Sequence, residues 1–353
     1  MNDPLREYTE LISLSKNLEP DQVNVVASHL ISESISPESK MRFLKELSSK
    51  GETDDEFSSF VSAFRGFAKD PLLSEFSSQA IDLCGTGGDQ SGSFNISTFV
   101  SIVVATAGVP VIKHGNRSIS SKCGSADILE ALGIPMEVDP EKLSSSLNEL
   151  NFCFLFAPHF HPAFKNLAPV RQALAKQGII TLFNRLGPCL NPATPAHQIL
   201  GVYDPKFLKQ MAHCLLANGS KSGWVVHGML DQNPAGRMDE LTACGTNIVC
   251  SYGDIDDGSS LRLDPEHWGM KTYPAEHIKG GGLKENLSIL DQLLNGNAPT
   301  GLKATVLMNA SSALRVAGHV QSLKDGVSCA EELLASGAVT DWLSKAQKFF
   351  SRL

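Results

Sequence analysis

At Ala80 the hydrophobic period of this chain changes, and that change limits the fold more than any other feature. Before it, apolar residues recur at helical spacing only. Leu5 to Leu14 shows the pattern first, and Pro20 to Leu30 repeats it with Val23, Val26 and Leu30 on one side. Ser36-Pro37-Glu38 predicts a helix start, a capping serine followed by proline at the first position, and Gly51 stops that helix. Thr53 with Glu56 reads as a capping box for the next helix, Phe57 to Phe67. Residues 1–75 therefore predict a small helical domain or a dimerisation surface. After Ala80, apolar runs of strand length alternate with helices. The strand candidates are Ala80–Cys84, Val109–Lys113, Phe152–Ala157, Ile179–Phe183, Trp224–His227 and Asn247–Tyr252. The helix candidates between them are Thr98–Ala107, Asp127–Leu132, Pro140–Leu150, Ala163–Leu174 and Pro205–Leu216. This alternation predicts an α/β domain over residues 76–353 with a largely parallel central sheet, some middle helices packing back on the helical domain. Helix returns in Asn286–Leu294, Thr300–Ala317, Cys329–Ala335 and Val339–Phe350, while Val249–Gly282 is polar, glycine-rich and weak in strand signal.

The first alternating unit carries an anion-site pattern. Ala80–Cys84 leads into Gly85, Gly87, Gly88, Asp89 and Gly92, and Asn95 is placed to cap the helix that follows. Glycines let backbone approach a phosphate, and the free amides of a first helical turn point at it. Glycine turns between strand and helix are common, but Ser91, Ser93, Asn95, Ser97 and Thr98 add more polar groups than a turn needs. One βα unit later, Val111 to Gly133 places Lys113, His114, Asn116, Arg117, Ser118, Ser120, Ser121, Lys122 and Ser125 in one loop. Asp127 and Glu130 read as a capping box for the helix behind it. A charge cluster alone is usually a solvated loop. Adjacent loops at the C-terminal ends of parallel strands converge on one crevice, so the pair reads as a phosphate or pyrophosphate site.

Composition narrows the partners. With 30 Lys and Arg against 38 Asp and Glu the formal charge is −8, which argues against a general nucleic-acid or acidic-membrane binder. Eight scattered cysteines with no C-x-x-C pair read as reduced thiols of a cytoplasmic protein. The N-terminus carries no basic-then-apolar signal, and no apolar run approaches membrane-spanning length.

The two core segments, GTGGDQSGSFNIST and KHGNRSISSKCGSADILEALG, resemble the anthranilate phosphoribosyltransferase family. APHFHPAFKNLAPVR, TLFNRLGPCLNPA, MDELTACGTN and NASSALRVAG carry the resemblance over nearly the whole chain. It implies a fold like that of the pyrimidine nucleoside phosphorylases, usually a homodimer, a small helical domain joined to a larger α/β domain. It also implies transfer of the phosphoribosyl group of phosphoribosyl pyrophosphate (PRPP) to anthranilate, assisted by Mg²⁺, two ions, and without a covalent enzyme intermediate. Carried over by motif, Gly85, Gly88, Asp89, Ser93, Asn95, Ile96, Ser97 and Thr98 hold PRPP. So do Lys113, His114, Gly115, Asn116, Arg117, Ser118, Ile119, Ser120 and Ser121, with Ser125 closing the site. Ser97, Asp239 and Glu240 are implied as metal contacts, oxygen ligands suited to a hard cation. Arg171 is implied as the grip on the anthranilate carboxylate, with Gly85, Asn116 and His114 beside it.

His159 and His161 form an H-x-H pair flanked by Pro158 and Pro162, with no third ligand evident, and read as structural or pocket-lining. Three features depart from the family pattern: Ile180 stands where arginine is common, Arg185 replaces an apolar residue, and His227 to Glu240 is longer than usual. Two other readings share the fold. A nucleoside phosphorylase is set against by the HGNRS loop, and a partner-binding relative without the activity is set against by the acidic charge and the intact motifs.

Overall fold

The computed structural model describes residues 3–117, 122–231, 233–255 and 260–352, the side chains of 233–235 excepted. Helices α1 (Arg6–Ser13), α2 (Pro20–Ile31), α3 (Pro37–Lys50), α4 (Asp54–Gly66) and α5 (Ser74–Ser77) precede any strand. Then come β1 (Ile81–Gly85), α6 (Ile96–Thr106), β2 (Val111–Gly115), α7 (Ser125–Ala131), α8 (Pro140–Leu150) and β3 (Phe152–Phe156). Next are α9 (Ala157–Phe160), α10 (Ala168–Lys176), β4 (His197–Gly201), α11 (Leu208–Ala217), β5 (Ser222–Leu230), β6 (Asn233–Met238), β7 (Asn247–Gly253) and β8 (Ser260–Leu263). The chain closes with α12 (Leu283–Leu294), α13 (Thr300–Val316), α14 (Leu323–Ala335) and α15 (Ala338–Phe350).

The helical start follows its local signals. Ser36 Oγ accepts from the Ser39 amide at 3.2 Å, and Gly51 ends α3 at φ +82°. The Thr53–Glu56 capping box forms, with both bonds near 3 Å. Glu56 also accepts from the Leu18 amide and from Lys50, so the cap doubles as a buried joint. Phe57, Phe60 and Phe64 of α4 are fully buried, and each such side chain contributes about 2–3 kcal/mol of burial.

The sheet runs β3-β2-β1-β4-β5-β7-β8, with β6 paired to β5. Strands β1 to β5 are parallel, and β6, β7 and β8 are antiparallel additions. Both faces are covered. Ile199, Val226 and Val249 point into a core with α6, α13, α14 and α15, while Leu200, Val225 and Cys250 point into one shared by α1–α4, α10 and α11. This matches the α/β class with a mostly parallel sheet.

The structure corrects four local expectations. Ile179–Phe183 is not a strand: Leu182 and Phe183 are both buried in the helical-side core and Ile180 is 55% exposed, which no alternating strand allows. Asn184 Oδ1 accepts from the Thr181 amide and bends the segment into a short 3-10 turn. The strand that does stand there in the sheet is β4, unread because His197 and Gln198 interrupt its apolar run. Asp127 is the third residue of α7 and not its cap: its Oδ2 accepts from the Gly124 amide at 2.9 Å, while Glu130 turns to Arg117. Asn95 does precede α6, but its side chain forms no cap and reaches the Cys123 carbonyl instead.

Candidate active site

Strand order places the crevice. The chain leaves β1 toward β2 and β3 on one side, and β4 and β5 lie on the other, so neighbouring connections diverge at β1 and β4. Open α/β sheets bind ligands outside the carboxyl ends of such strands. There Gly85 ends β1, Gly201 ends β4, and the two are register partners. Asp239 lies against both: a Cβ on Gly201 would overlap the Asp239 carbonyl, and one on Gly85 would overlap its carboxylate. Neither glycine has an unusual φ, so what they supply is absence of bulk.

The longer segment before Asp239 is a hairpin. Strands β5 and β6 pair antiparallel through Gly228 and Met238, and the chain leaving β6 delivers Asp239 and Glu240 to the crevice. Asp239 Oδ2 accepts from the Gly87 amide at 2.6 Å, and Glu240 Oε1 accepts from the Ser97 amide, in the first turn of α6, at 3.1 Å. Each carboxylate thus meets a free amide of the glycine loop or the helix start. Lys113 is buried below, with Nζ donating to the Leu83 carbonyl and to Ser97 Oγ. Burial pushes Glu240 up to about 7, offset in part by Lys113. Burial, then the charges of Asp89 and Glu240, holds Asp239 well above the usual carboxylate range. Burial drives Lys113 down, against the pull of Asp82.

The glycine loop is fastened from outside. Gly87, Gly88 and Gly92 have φ of +68°, +81° and +62°, the left-handed region that glycine enters freely. Ser93 pairs with Lys279, the Gly280 amide donates to the Gly92 carbonyl, and the Asn95 amide donates to buried Asn286 at 3.0 Å. Asp89 and Ser93 are half-buried, and Ser93 Oγ bonds Ser91 Oγ. Ile96 and Thr98 are buried, and the Thr98 hydroxyl has no partner among the described residues.

The second loop is only partly described. Ser118, Ile119, Ser120 and Ser121 lie outside the described residues. Arg117 is exposed and spans Asp127 and Glu130, each at 3.0 Å. Ser125 Oγ donates to the Asn116 carbonyl beside Gly115, where a Cβ would overlap that hydroxyl.

Sequence reasoning missed Asp82, wholly buried on β1. It accepts from the His114 amide at 3.3 Å and from Asn191 Nδ2 at 2.9 Å, and burial raises it to about 6. The only hint in the sequence is a charge inside an apolar strand. Lys279, Gly280 and Asn286 were also missed, although the glycine run there marks close backbone approach.

A row of rings runs from His114 to Arg171. His114 stacks edge-on with His161 at 5.2 Å, His161 meets Phe164 at 5.6 Å, and Phe164 meets Phe183 at 6.0 Å. The Arg171 guanidinium lies 5.7 Å from the Phe183 ring and donates to the Phe183 carbonyl at 3.4 Å. Burial alone lowers Arg171, with no carboxylate among the described residues to offset it. His161 Nε2 bonds the Leu190 carbonyl, leaving its Nδ1 and His114 Nε2 buried without partners among the described residues. Burial pushes His114 down to about 3 and His161 to about 4, so both rings are neutral at physiological pH. His159, the other half of the H-x-H pair, is half-buried.

Among the described residues no three His, Cys, Asp or Glu side chains converge as a metal site. Asp239, Glu240 and the Ser97 hydroxyl still fit Mg²⁺, which is typically held by one or two carboxylates and completed by water and substrate phosphates. Two carboxyls raised by burial, with neighbouring negative charge acting on Asp239, are a donor set that a cation would relieve.

Residues 77–340 match the model of the glycosyl transferase family, a/b domain. A curated anthranilate phosphoribosyltransferase of Listeria innocua is 40% identical over 323 residues, 91% of each chain. The crystal structure of the Thermus thermophilus anthranilate phosphoribosyltransferase superposes with a TM-score of 0.85 at 38% identity, covering 97% of this chain and 99% of that one. The Saccharomyces cerevisiae enzyme in complex with PRPP and Mg superposes at 0.81, and with 4-fluoroanthranilate at 0.80, each 25% identical over 99% of this chain and 98% of that one. The chain belongs to the anthranilate phosphoribosyltransferase family.

Proposed function

We propose that this chain transfers the phosphoribosyl group of PRPP to the amine of anthranilate, giving N-(5-phosphoribosyl)anthranilate and pyrophosphate. The observation that carries this reading is the crevice at β1 and β4. Glycine-loop amides, the start of α6 and the Asp239–Glu240 pair meet there, with Arg171, which meets no carboxylate among the described residues, at the far end of the ring row. Gly85, Gly88, Asp89, Ser93 and Asn95 to Thr98 would line the PRPP side, with Ile96 and Thr98 contributing backbone because their side chains are buried. Lys113 to Ser121 and Ser125 would complete it.

Ser97, Asp239 and Glu240 would hold Mg²⁺, two ions, which when bound neutralises pyrophosphate charge and makes it a better leaving group. Arg171 would take the anthranilate carboxylate in a two-bond fork, with His114, Asn116 and Gly85 around the ring. The amine nitrogen then bonds to the anomeric carbon as the carbon–oxygen bond to pyrophosphate breaks and its electron pair leaves with pyrophosphate. The nitrogen gives up a proton to complete the exchange. Charge develops on the anomeric carbon as in other glycosyl transfers. The chain's own contribution is position and electrostatics. Burial raises the thiols of Cys84 and Cys153, and the hydrogen bond with Cys214, then burial, raises that of Cys189, so none of the three is poised as a nucleophile.

Eight scattered cysteines with no C-x-x-C pair support a reducing, cytoplasmic setting, and the family likeness supports a homodimer. No described helix is long and apolar enough to cross a membrane. The test is to mix purified protein with PRPP, Mg²⁺ and anthranilate and follow anthranilate fluorescence. Loss that requires all three and disappears in Asp239→Ala supports the reading. Intact anthranilate with PRPP bound overturns the acceptor, and failure to bind PRPP overturns the whole assignment.

A further inference from the structure

The loop between α10 and β4 holds a buried arginine that the reaction above leaves unused. Arg185 is 6% exposed, and its Nη2 stands 2.8 Å from Glu52 Oε2. Its guanidinium lies 4.2 Å from the Phe207 ring and 5.4 Å from that of Phe57. Glu52 sits in the turn between α3 and α4, Phe57 on α4, and Phe207 at the start of α11. One side chain therefore pins its loop to the helical start and to the helix behind β4. At the other end of the loop Ser48 Oγ, on α3, donates to the Ile180 carbonyl at 2.7 Å. Between these ties lies Phe183. Its ring packs on Phe64 at 5.3 Å, and its carbonyl and ring hold Arg171.

A buried ion pair seldom adds net stability over an apolar replacement; where such pairs have a use, it is in fixing an arrangement. What this pair fixes is the loop that aims Arg171. We propose that Arg185 is a positioning residue for the aromatic acceptor: through Glu52, Phe57 and Phe207 it sets the place of Phe183 and so of the Arg171 guanidinium. The joint retains a buried donor, Arg185 Nε, and a buried acceptor, Gln210 Oε1, both without partners among the described residues, so its bonding is incomplete in this conformation. This inference rests on the reading of Arg171 as the carboxylate grip.

The experiment is steady-state kinetics on the full chain, with thermal midpoints, for Arg185→Leu, Glu52→Gln, their combination and Arg171→Ala. Arg185→Leu is expected to raise KM for anthranilate about tenfold while KM for PRPP stays within about twofold. Glu52→Gln should move the same constant in the same direction, and the double variant should be no worse than the worse single one. If Arg185→Leu does not fold, the near-isosteric Glu52→Gln carries the test. An unchanged anthranilate KM in a folded variant, or equal rises in both KM values, overturns the inference. If Arg171→Ala raises the anthranilate KM and Arg185→Leu does not, only the positioning role falls. If Arg171→Ala leaves that KM unchanged, the carboxylate reading falls with it.

Discussion

The two ends of the crevice are built on opposite plans. At the glycine-loop end several donors are already met within the chain. The Gly87 and Ser97 amides meet carboxylates, Lys113 meets a carbonyl and a hydroxyl, and the loop is strapped to residues 278–286. At the acceptor end the groups are left open: among the described residues Arg171 has no carboxylate, and His114 Nε2 and His161 Nδ1 have no partner. The first end is a backbone device, set by glycine and strand register. The second is a side-chain device, set by ring packing. A backbone device should fail abruptly when bulk enters it, and a side-chain device should degrade by degrees.

The largest effect that would break this contrast is at Gly201. Gly201→Ala places a methyl group on the Asp239 backbone, which cannot yield as a side-chain tip would. We expect kcat/KM to fall by about a thousandfold or more, with about 1–3 kcal/mol lost in urea unfolding. A fully active Gly201→Ala would show that the two strand ends do not seat Asp239.

Next in size is Arg171→Lys at the open end. The charge stays and the planar fork is lost, so KM for anthranilate should rise about 10–30-fold with PRPP binding unchanged in titration calorimetry.

A third test compares stability across pH without metal or substrate. The folded-state value of Glu240 is raised to about 7 from an ordinary 4.5. Its contribution is therefore full below pH 4.5 and is lost as pH rises through about 7. Glu240→Gln escapes that loss, so it should be more stable than the parent by about 1–2 kcal/mol at pH 8, with the gap closing by pH 5. Denaturant midpoints at the two pH values check the sign, and an unchanged gap would mean the carboxyl is not strained. Activity should be lost in the same variant.

The smallest effect belongs to Thr98→Val, which removes a buried hydroxyl that has no partner among the described residues. Stability should hold or rise by up to about 1 kcal/mol, with activity kept within about threefold if only the Thr98 backbone serves the site.

The same division explains what the sequence made legible. Ser36-Pro37 and Thr53–Glu56 act within a few residues of themselves, as do the left-handed turns at Gly87, Gly88 and Gly92, and all appear in the structure as their local chemistry implies. Strand β4 did not, because Gln198 and His197 are made tolerable in the sheet by distant partners, the Pro188 carbonyl and the Ser222 hydroxyl. Asp82 was invisible for the same reason, since Lys113 and Asn191, which offset only part of its burial cost, lie far along the chain. Leu182 and Phe183 looked like strand because the five-residue stretch Ile179–Phe183 is too short to carry a period of its own, and the helical core decided their conformation. The Asp239–Glu240 pair was legible as residues, but the hairpin that delivers it was not, because Asn233–Met238 holds little that favours a strand.

The carboxylates on the Gly87 and Ser97 amides carry one more consequence. They occupy the donors that an incoming phosphate would seek, so the crevice by itself already fills those positions with carboxyl oxygens. A bare phosphate would have to displace those oxygens, would favour their protonated forms by its own charge, and would gain little. On the proposed reading, an anion that arrives with its charge already offset by a hard cation would be met differently, because the same carboxyls would become its ligands. On that reading the crevice would sort visitors by their counter-ion before it sorted them by shape, and free phosphate would compete poorly for it.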